Sequence, residues 1–447
     1  MARSNDATLV LEAAATRWGS RDRPRATRLE SRPFEPWRYV PNGEPPRNFG
    51  AGTPVPFDRL FHGLTPPLRT SRQSVASLAT LARRVRVAIV IEHFVARRGG
   101  AEASAVRVVE ELQRRGVDVT VVCIQAEPPA SPEIGIIRLR VPGFWQPLRV
   151  ARFSREAGRA TAHGFDIVHS FSRTRHQTVY RAGGGSHAAY IERVYRYPRL
   201  QRSLSPRHRA ILRIEEAVLR DPTQLIQCVS QRVAAEIASR YQVSPERLVN
   251  LYNGVDTERF NPAQRDPRRA ALRAELELEG PVALFVGSGF HRKGLDRALR
   301  GLAESGGSTC LLVSGRGDPR PYRQLAGELG VEGRVRFLGH RNDVEALHAA
   351  ADLLVLPTRY DPFANAVLEG MASGLPVATT PVNGVAELIE HGKNGFVYEE
   401  NFGPAFQLLQ DRAGLAPVGA AARRTAERFT WSDHADQVLQ LYSKLQR

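Results

Sequence analysis

The sequence predicts an α/β chain of two consecutive doubly wound domains, each a parallel sheet covered by helices on both faces. Three observations carry this. Apolar runs such as Val85-Arg86-Val87-Ala88-Ile89-Val90-Ile91 and Asp352-Leu353-Leu354-Val355-Leu356 are short and nearly continuous, as strands buried on both faces read. Helical periodicity separates successive runs, which calls for parallel pairing. The series pauses at Asn253-Gly254-Val255-Asp256 and Phe260-Asn261-Pro262, then restarts at Val282, so two domains with a cleft between them are expected. A length of 447 residues supplies the necessary cores.

Taken in order, residues 1 to 84 hold ten of the thirty prolines and no sustained periodicity. They read as a basic, largely disordered extension with a short helix near Val75 to Arg84. The first domain, 85–255, opens with the strand Val85 to Ile91, a Gly99-Gly100 turn, and a helix marked by Val106, Val109 and Leu112 that closes at Gly116. Its further strands are Val119 to Ile124, Ile136 to Val141, Asp166 to Phe171 and Leu225 to Val229. The second domain, 256–428, continues through Val282 to Val286, Cys310 to Val313, Val335 to Leu338, Leu353 to Leu356 and Val377 to Thr379. A final helix, 429–447, is expected to cross back to the first domain.

Composition excludes several classes. Hydrophobic content of 42% is ordinary for a globular protein, and no stretch approaches the ~20 apolar residues of a membrane span. No secretory signal is legible, because Glu12 interrupts the apolar run Thr8 to Ala15. Cys123, Cys228 and Cys310 each lie in a strand, which points to reduced, buried thiols and a cytosolic protein. The net charge of +17 reflects sixty arginines against three lysines, Lys293, Lys393 and Lys444. That skew reads as coding bias, although basicity still favours anionic surfaces. A DNA- or RNA-binding motif is absent, and nucleic acid is not the expected partner.

The chemistry is concentrated in two segments. The first is Tyr360-Asp361-Pro362-Phe363-Ala364-Asn365-Ala366-Val367-Leu368-Glu369, which follows the Leu353–Leu356 strand and opens a helix expected to start at Asp361 and end at Ser373-Gly374. Free amides at that helix start suit a phosphate, and two carboxylates eight residues apart can accept hydrogen bonds from sugar hydroxyls. The combination points to a nucleotide sugar. The second segment is Val286-Gly287-Ser288-Gly289-Phe290-His291-Arg292-Lys293-Gly294. Adjacent cations flanked by glycines, at the end of a strand, suit a pyrophosphate leaving group; the bland alternative is a pair of solvated surface cations.

Weaker signals lie in the first domain. Arg98-Gly99-Gly100-Ala101-Glu102 lets a backbone approach a phosphate or sugar, although such a Gly-Gly is common in turns. The absence of Gly-x-Gly-x-x-Gly counts against a nicotinamide or flavin enzyme. The polar stretch His169 to His187 offers Arg173, Arg181 and His187 as contacts to an acceptor or to the departing phosphate. From Tyr190 to Arg220, eight arginines are interleaved with Tyr190, Tyr195, Tyr197, Leu200, Leu204, Ile211 and Leu212, which suits either an anionic bilayer interface or a solvated helical face.

Together these segments resemble family 4 retaining glycosyltransferases of the GT-B fold. Asp361-x7-Glu369, Gly370-Met371-Ala372-Ser373-Gly374-Leu375-Pro376-Val377 and Arg292-Lys293-Gly294 carry the likeness over residues 85 to about 445. The stretches around Arg98 to Glu102 and Val179 to His187 are most similar to the lipopolysaccharide core α-1,3-glucosyltransferase branch.

The resemblance implies that Asp361 contacts the donor sugar and Glu369 the ribose hydroxyls, while Arg292 and Lys293 neutralise the diphosphate. Gly289, Phe363, Ala364 and Asn365 would complete the donor site, and Gly100 would approach the same phosphates. It also implies a metal-independent, configuration-retaining transfer from a nucleoside-diphosphate sugar, UDP-glucose by likeness, to a glycolipid or core oligosaccharide at the inner face of the membrane. No cofactor is implied beyond the nucleotide sugar itself. The family commonly has glutamate where Asp361 stands, and the branch often has an acid where Thr178 stands. A sugar phosphorylase, a nucleotide-sugar epimerase and a non-catalytic carbohydrate- or membrane-binding protein of the same fold are the alternatives.

Overall fold

In a computed structural model, residues 85–129 and 131–446 are described. The basic extension and the helix expected near 75–84 lie outside them. The first sheet contains β1 (Arg86–Val90), β2 (Asp118–Cys123), β3 (Gly135–Arg138), β4 (Ile167–Ser170), β5 (Val179–Ala182), β6 (Leu225–Cys228) and β7 (Leu248–Asn250). Their order is β3-β2-β1-β4-β5-β6-β7, all parallel. The second contains β8 (Val282–Val286), β9 (Cys310–Ser314), β10 (Val335–Gly339), β11 (Leu353–Leu356), β12 (Val377–Thr379) and β13 (Phe396–Val397), in the order β10-β9-β8-β11-β12-β13. In both sheets the winding reverses beside the first strand, between β1 and β4 and between β8 and β11. Those are the switch points where open α/β sheets bind ligands.

Helices of the first domain are α1 (Gly100–Arg114), α2 (Gln146–Ala160), α3 (His187–Val194), α4 (Pro198–Leu204), α5 (Pro206–Arg220) and α6 (Gln231–Tyr241). The second domain has α7 (Arg265–Glu275), α8 (Phe290–Lys293), α9 (Leu295–Ser305), α10 (Arg320–Glu328), α11 (Val344–Ala350), α12 (Asn365–Ala372), α13 (Gly403–Gln407) and α14 (Arg412–Ala426); α15 (Trp431–Leu445) follows. Along β1 the pleat sorts side chains to opposite faces. Val87 and Ile89 join a core with Val108 and Leu112 of α1 and Val438, Leu439 and Tyr442 of α15. Ala88 and Val90 instead meet Phe153 and Ala157 of α2. The last helix therefore completes the core of the first sheet.

The chain crosses between domains twice, and the crossings touch. Val255 N–H donates to Phe429 O at 2.8 Å, and a Cβ on Gly254 would lie 2.5 Å from the Trp431 nitrogen. Only glycine lets the two segments run this close.

Two expectations need correction. The polar stretch His169 to His187, in which no strand of its own was expected, contains one: Val179-Tyr180-Arg181-Ala182 is a fully buried strand between β4 and β6. The helix expected from Asp361 begins at Asn365. Asp361 to Ala364 are held extended by other bonds: Gly384 N–H donates to Asp361 O at 3.0 Å, and Ala364 N–H donates to Asn383 Oδ1 at 3.1 Å.

Candidate functional site

The second sheet's switch point brings the two chemical segments together. β8 leads through Gly287 to Gly289 into the single turn α8, which carries Arg292 and Lys293. Gly294 follows with φ +78°, and a Cβ there would fall 1.9 Å from Pro357 O, so glycine alone lets this turn rest against the end of β11. β11 in turn delivers Asp361. Lys293 Nζ lies 2.5 Å from Asp361 Oδ2, and Arg292 Nη1 lies 2.9 Å from the same oxygen. Arg292 also donates to Tyr360 O at 3.1 Å.

Both cations thus converge on one oxygen of a buried carboxylate. Among the described residues Oδ1 accepts only from Phe363 N–H, at 3.3 Å, and keeps lone-pair capacity for a hydroxyl donor. Burial works against ionisation of Asp361, but the charges and hydrogen bonds of Lys293 and Arg292 outweigh it and hold the carboxyl below its usual range. Burial also lowers Lys293, with Asp361 opposing the shift.

Glu369 occupies the second turn of α12 and acts electrostatically on Lys293. Among the described residues its carboxylate has no hydrogen-bond or ion-pair partner; Arg259, whose charge acts on it more strongly than that of Lys293, is bound to Glu345 at 2.6 Å. Burial pushes the Glu369 carboxyl up to about 7. A raised carboxyl contributes stability below its unfolded value, and that contribution is lost as pH rises through about 7. Glu369→Gln should therefore raise the melting temperature at pH 8 and leave it nearly unchanged at pH 5. Equal shifts at both pH values in calorimetry would contradict an unpaired, desolvated carboxyl.

The donor-site expectations separate on geometry. Phe363 and Ala364 are buried, and their amides are already bonded to Asp361 and Asn383. Among the described residues the first-turn amides of α12 left without a partner are those of Asn365 and Ala366. Gly100, at the start of α1, faces Asn365 across the cleft: Asn365 Nδ2 donates to Gly100 O at 3.3 Å and to Ser104 Oγ at 3.1 Å. Gly289 caps α8 in the left-handed region with open space beside it.

Arg173, Arg181 and His187, expected to contact an acceptor or the departing phosphate, have protein partners: Arg181 and His187 are buried and Arg173 is partly exposed. Arg173 Nε pairs with buried Glu215 at 3.3 Å and its Nη2 donates to Gly185 O at 3.2 Å. Glu215 also receives the His187 amide at 2.8 Å and the Tyr241 hydroxyl at 2.5 Å, which fixes the start of α3. The His187 ring meets His208 at 2.9 Å, and burial drives its pKa down to about 2, so the imidazole is neutral. Arg181 is 2% exposed within β5. Only Arg181 lies within a strand; the side chains of Arg173 and His187 are engaged by Glu215 and His208.

Other residues of the cleft escaped the sequence reading. Glu92 stands at the end of β1 with its carboxyl raised by burial, opposed by Arg149 and Arg207. Arg316 spans the domains, donating to the Arg98 and Arg97 carbonyls at 2.6 and 2.9 Å. Their place at strand ends was the available signal. Among the described residues, no three His, Cys, Asp or Glu side chains are grouped to hold a metal ion.

Residues 98–259 match the profile of Glycosyltransferase Family 4, and residues 280–407 match that of Glycosyl transferases group 1. The lipopolysaccharide glucosyltransferase WaaG of Escherichia coli is 30% identical over 313 residues, covering 68% of this chain and 83% of that protein. A D-inositol 3-phosphate glycosyltransferase of Salinispora arenicola is 28% identical over 345 residues, 70% of this chain and 76% of that protein. The crystal structure of WaaG, a glycosyltransferase involved in lipopolysaccharide biosynthesis, superposes with a TM-score of 0.71 at 26% identity, over 80% of this chain and 99% of that one. Anabaena Alr3699/HepE, solved with UDP and glucose, shares the fold at 21% identity with a TM-score of 0.63, over 80% of this chain and 100% of that one.

Proposed function

This chain belongs to glycosyltransferase family 4, and from that premise we propose that it moves a sugar from a nucleoside-diphosphate donor to an amphiphilic acceptor with retention of configuration. The observation that carries the reading is the convergence of Lys293 and Arg292 on Asp361 beside the unpaired Glu369.

Asp361 Oδ1 accepts from a hydroxyl of the donor sugar, and Glu369 accepts from the ribose. The free amides of Asn365 and Ala366 and the two cations take the diphosphate, whose charge grows as its bond to the anomeric carbon breaks. The acceptor oxygen bonds to that carbon on the same face, and its proton passes to the departing diphosphate oxygen. No step calls for a metal. UDP-glucose is the first donor to try, since WaaG is a glucosyltransferase by name and HepE was solved with UDP and glucose.

An exposed apolar patch favours an acceptor at a membrane surface. Tyr197, just ahead of α4, and Leu200 and Leu204 within it are 61%, 53% and 69% exposed, and Phe144 and Trp145, ahead of α2, are 96% and 54% exposed. Both α2 and α4 pack against α5, and arginines including Arg199 and Arg202 accompany the patch. Ile211, Ile214, Val218 and Leu219 of α5 are buried, so the long helix of the 190–220 segment serves the core and only α4 is presented. No helix of the described residues is long and apolar enough to cross a membrane. A pyridoxal-dependent phosphorylase needs an available buried lysine; Lys293 is held by Asp361, and Lys393 and Lys444 are exposed.

The test is release of nucleoside diphosphate from UDP-glucose and other nucleotide sugars, with and without lipopolysaccharide-core acceptors on anionic phospholipid vesicles. Acceptor-dependent release, an α-linked product by NMR and indifference to EDTA are expected. Phosphate-dependent formation of sugar 1-phosphate, or epimerised sugar without transfer, would overturn the reading. Binding of nucleotide sugar with no release on any acceptor would favour a non-catalytic protein.

A further inference from the structure

Buried charges without an opposite charge are costly, and Arg181 is one. It is 2% exposed, its guanidinium lies 4.7 Å over the Phe171 ring, and among the described residues its Nε has no partner. Burial lowers its pKa only to about 10, so it remains charged at neutral pH. Its one hydrogen bond among those residues runs from Nη2 to Asn253 Oδ1, at 2.6 Å.

That bond heads a chain across the cleft. Asn253 Nδ2 donates to Asn365 Oδ1 at 2.8 Å. Asn365 Nδ2 then donates to Ser104 Oγ at 3.1 Å and Gly100 O at 3.3 Å. A guanidinium can only donate, so Asn253 must offer its oxygen to Arg181 and its nitrogen to Asn365. Asn365 must in turn offer oxygen to Asn253 and nitrogen to α1. A donor-only group at one end thus fixes both amides that join the start of α1, in the first domain, to the start of α12, in the second.

We propose that Arg181 is a positioning residue, which orients the Asn253–Asn365 amide chain and so holds the acceptor domain in register with the donor-binding helix. The buried charge is retained because a neutral residue that could also accept would let the chain reverse. Reversal would turn Asn365 Oδ1 toward the Gly100 carbonyl, acceptor against acceptor, and release α1.

Asn253→Asp separates this role from a structural one. The new carboxylate gives Arg181 a counter-charge, so the melting temperature should hold or rise. That carboxylate cannot donate, however, and Asn365 must turn its nitrogen back toward it, losing Gly100. Amide exchange across Ala101 to Ala105 should quicken severalfold. In the kinetic arm, which rests on the transferase reading, kcat should fall at least about tenfold, while calorimetric affinity for UDP changes less than about threefold. Arg181→Met should show the same losses, and Arg181→Lys, still donor-only, should recover most of what Met loses. Unchanged exchange and kcat in Asn253→Asp, or full kcat in Arg181→Met, overturns the proposal. If the wild-type protein transfers no sugar to any acceptor, the exchange measurement still decides the register claim, and the two failures remain distinct.

Discussion

Asp361→Asn is expected to lower both turnover and stability, and to make the protein unusually responsive to anions. The substitution keeps the side chain's shape and removes the charge on which two cations converge, at 2.5 and 2.9 Å. Lys293 is 8% exposed, so its ammonium would be left desolvated beside the Arg292 guanidinium. Breaking one side of a buried pair costs about 3–5 kcal/mol, with Arg292's partial exposure placing this case at the lower end. Turnover should fall by at least about 100-fold, the scale for losing an aligned electrostatic contact to the reacting group.

The diagnostic result is the anion response. Pyrophosphate or UDP supplies the missing negative charge, so either should raise the melting temperature of Asp361→Asn more than that of the wild type. Equal increments would mean that the cations do not face the phosphate position. The pH dependence has a definite sign. Asp361 titrates below its unfolded value, so its contribution is complete above the ordinary carboxylate range and is lost as pH falls through the lowered pKa. The stability gap between wild type and variant should therefore close in acid.

The sequence disclosed the fold well because buried parallel strands advertise themselves. Leu353 to Leu356 and Val282 to Val286 occupy the predicted positions, since four or five consecutive apolar residues leave few other structures. β5 was hidden because Arg181 interrupts its apolar character, and nothing local says that a distant Asn253 accepts its hydrogen bond. Helix α12 was placed too early because Asp361-Pro362 is a good local start. Asn383, some twenty residues on, holds Asp361 to Ala364 extended instead. The cation pair and the acid pair were legible through spacing and lysine scarcity. Their joining at the switch point follows from β8 lying beside β11, which strand order could imply but not fix. The contacts of Arg173 and His187 were not legible for a common reason: both feed one buried acid, Glu215, forty-two and twenty-eight residues away.

Lys293→Ala should behave differently from loss of the acid, and the difference follows from the shared oxygen. Removing the lysine leaves Asp361 paired with Arg292 at 2.9 Å, so no uncompensated charge is buried and the protein should remain folded, with a melting temperature within a few degrees of wild type. The lost ammonium is nevertheless the compact cation nearest the carboxylate that orients the sugar, in the position to meet a departing diphosphate. Because that charge grows only as the sugar–phosphate bond breaks, kcat should fall at least about 100-fold and the affinity for donor much less. Arg292 cannot substitute, since its guanidinium is tied to Tyr360 O at 3.1 Å as well as to Asp361. Lysine at this position is also nearly buried, at 8% exposed, and a guanidinium there would bring more donors than the one carboxylate oxygen it shares with Arg292 can accept. Lys293→Arg should accordingly fail to restore turnover. A folded Lys293→Ala protein with near-normal kcat would remove the residue from the chemistry, and full rescue by arginine would show that any positive charge suffices there.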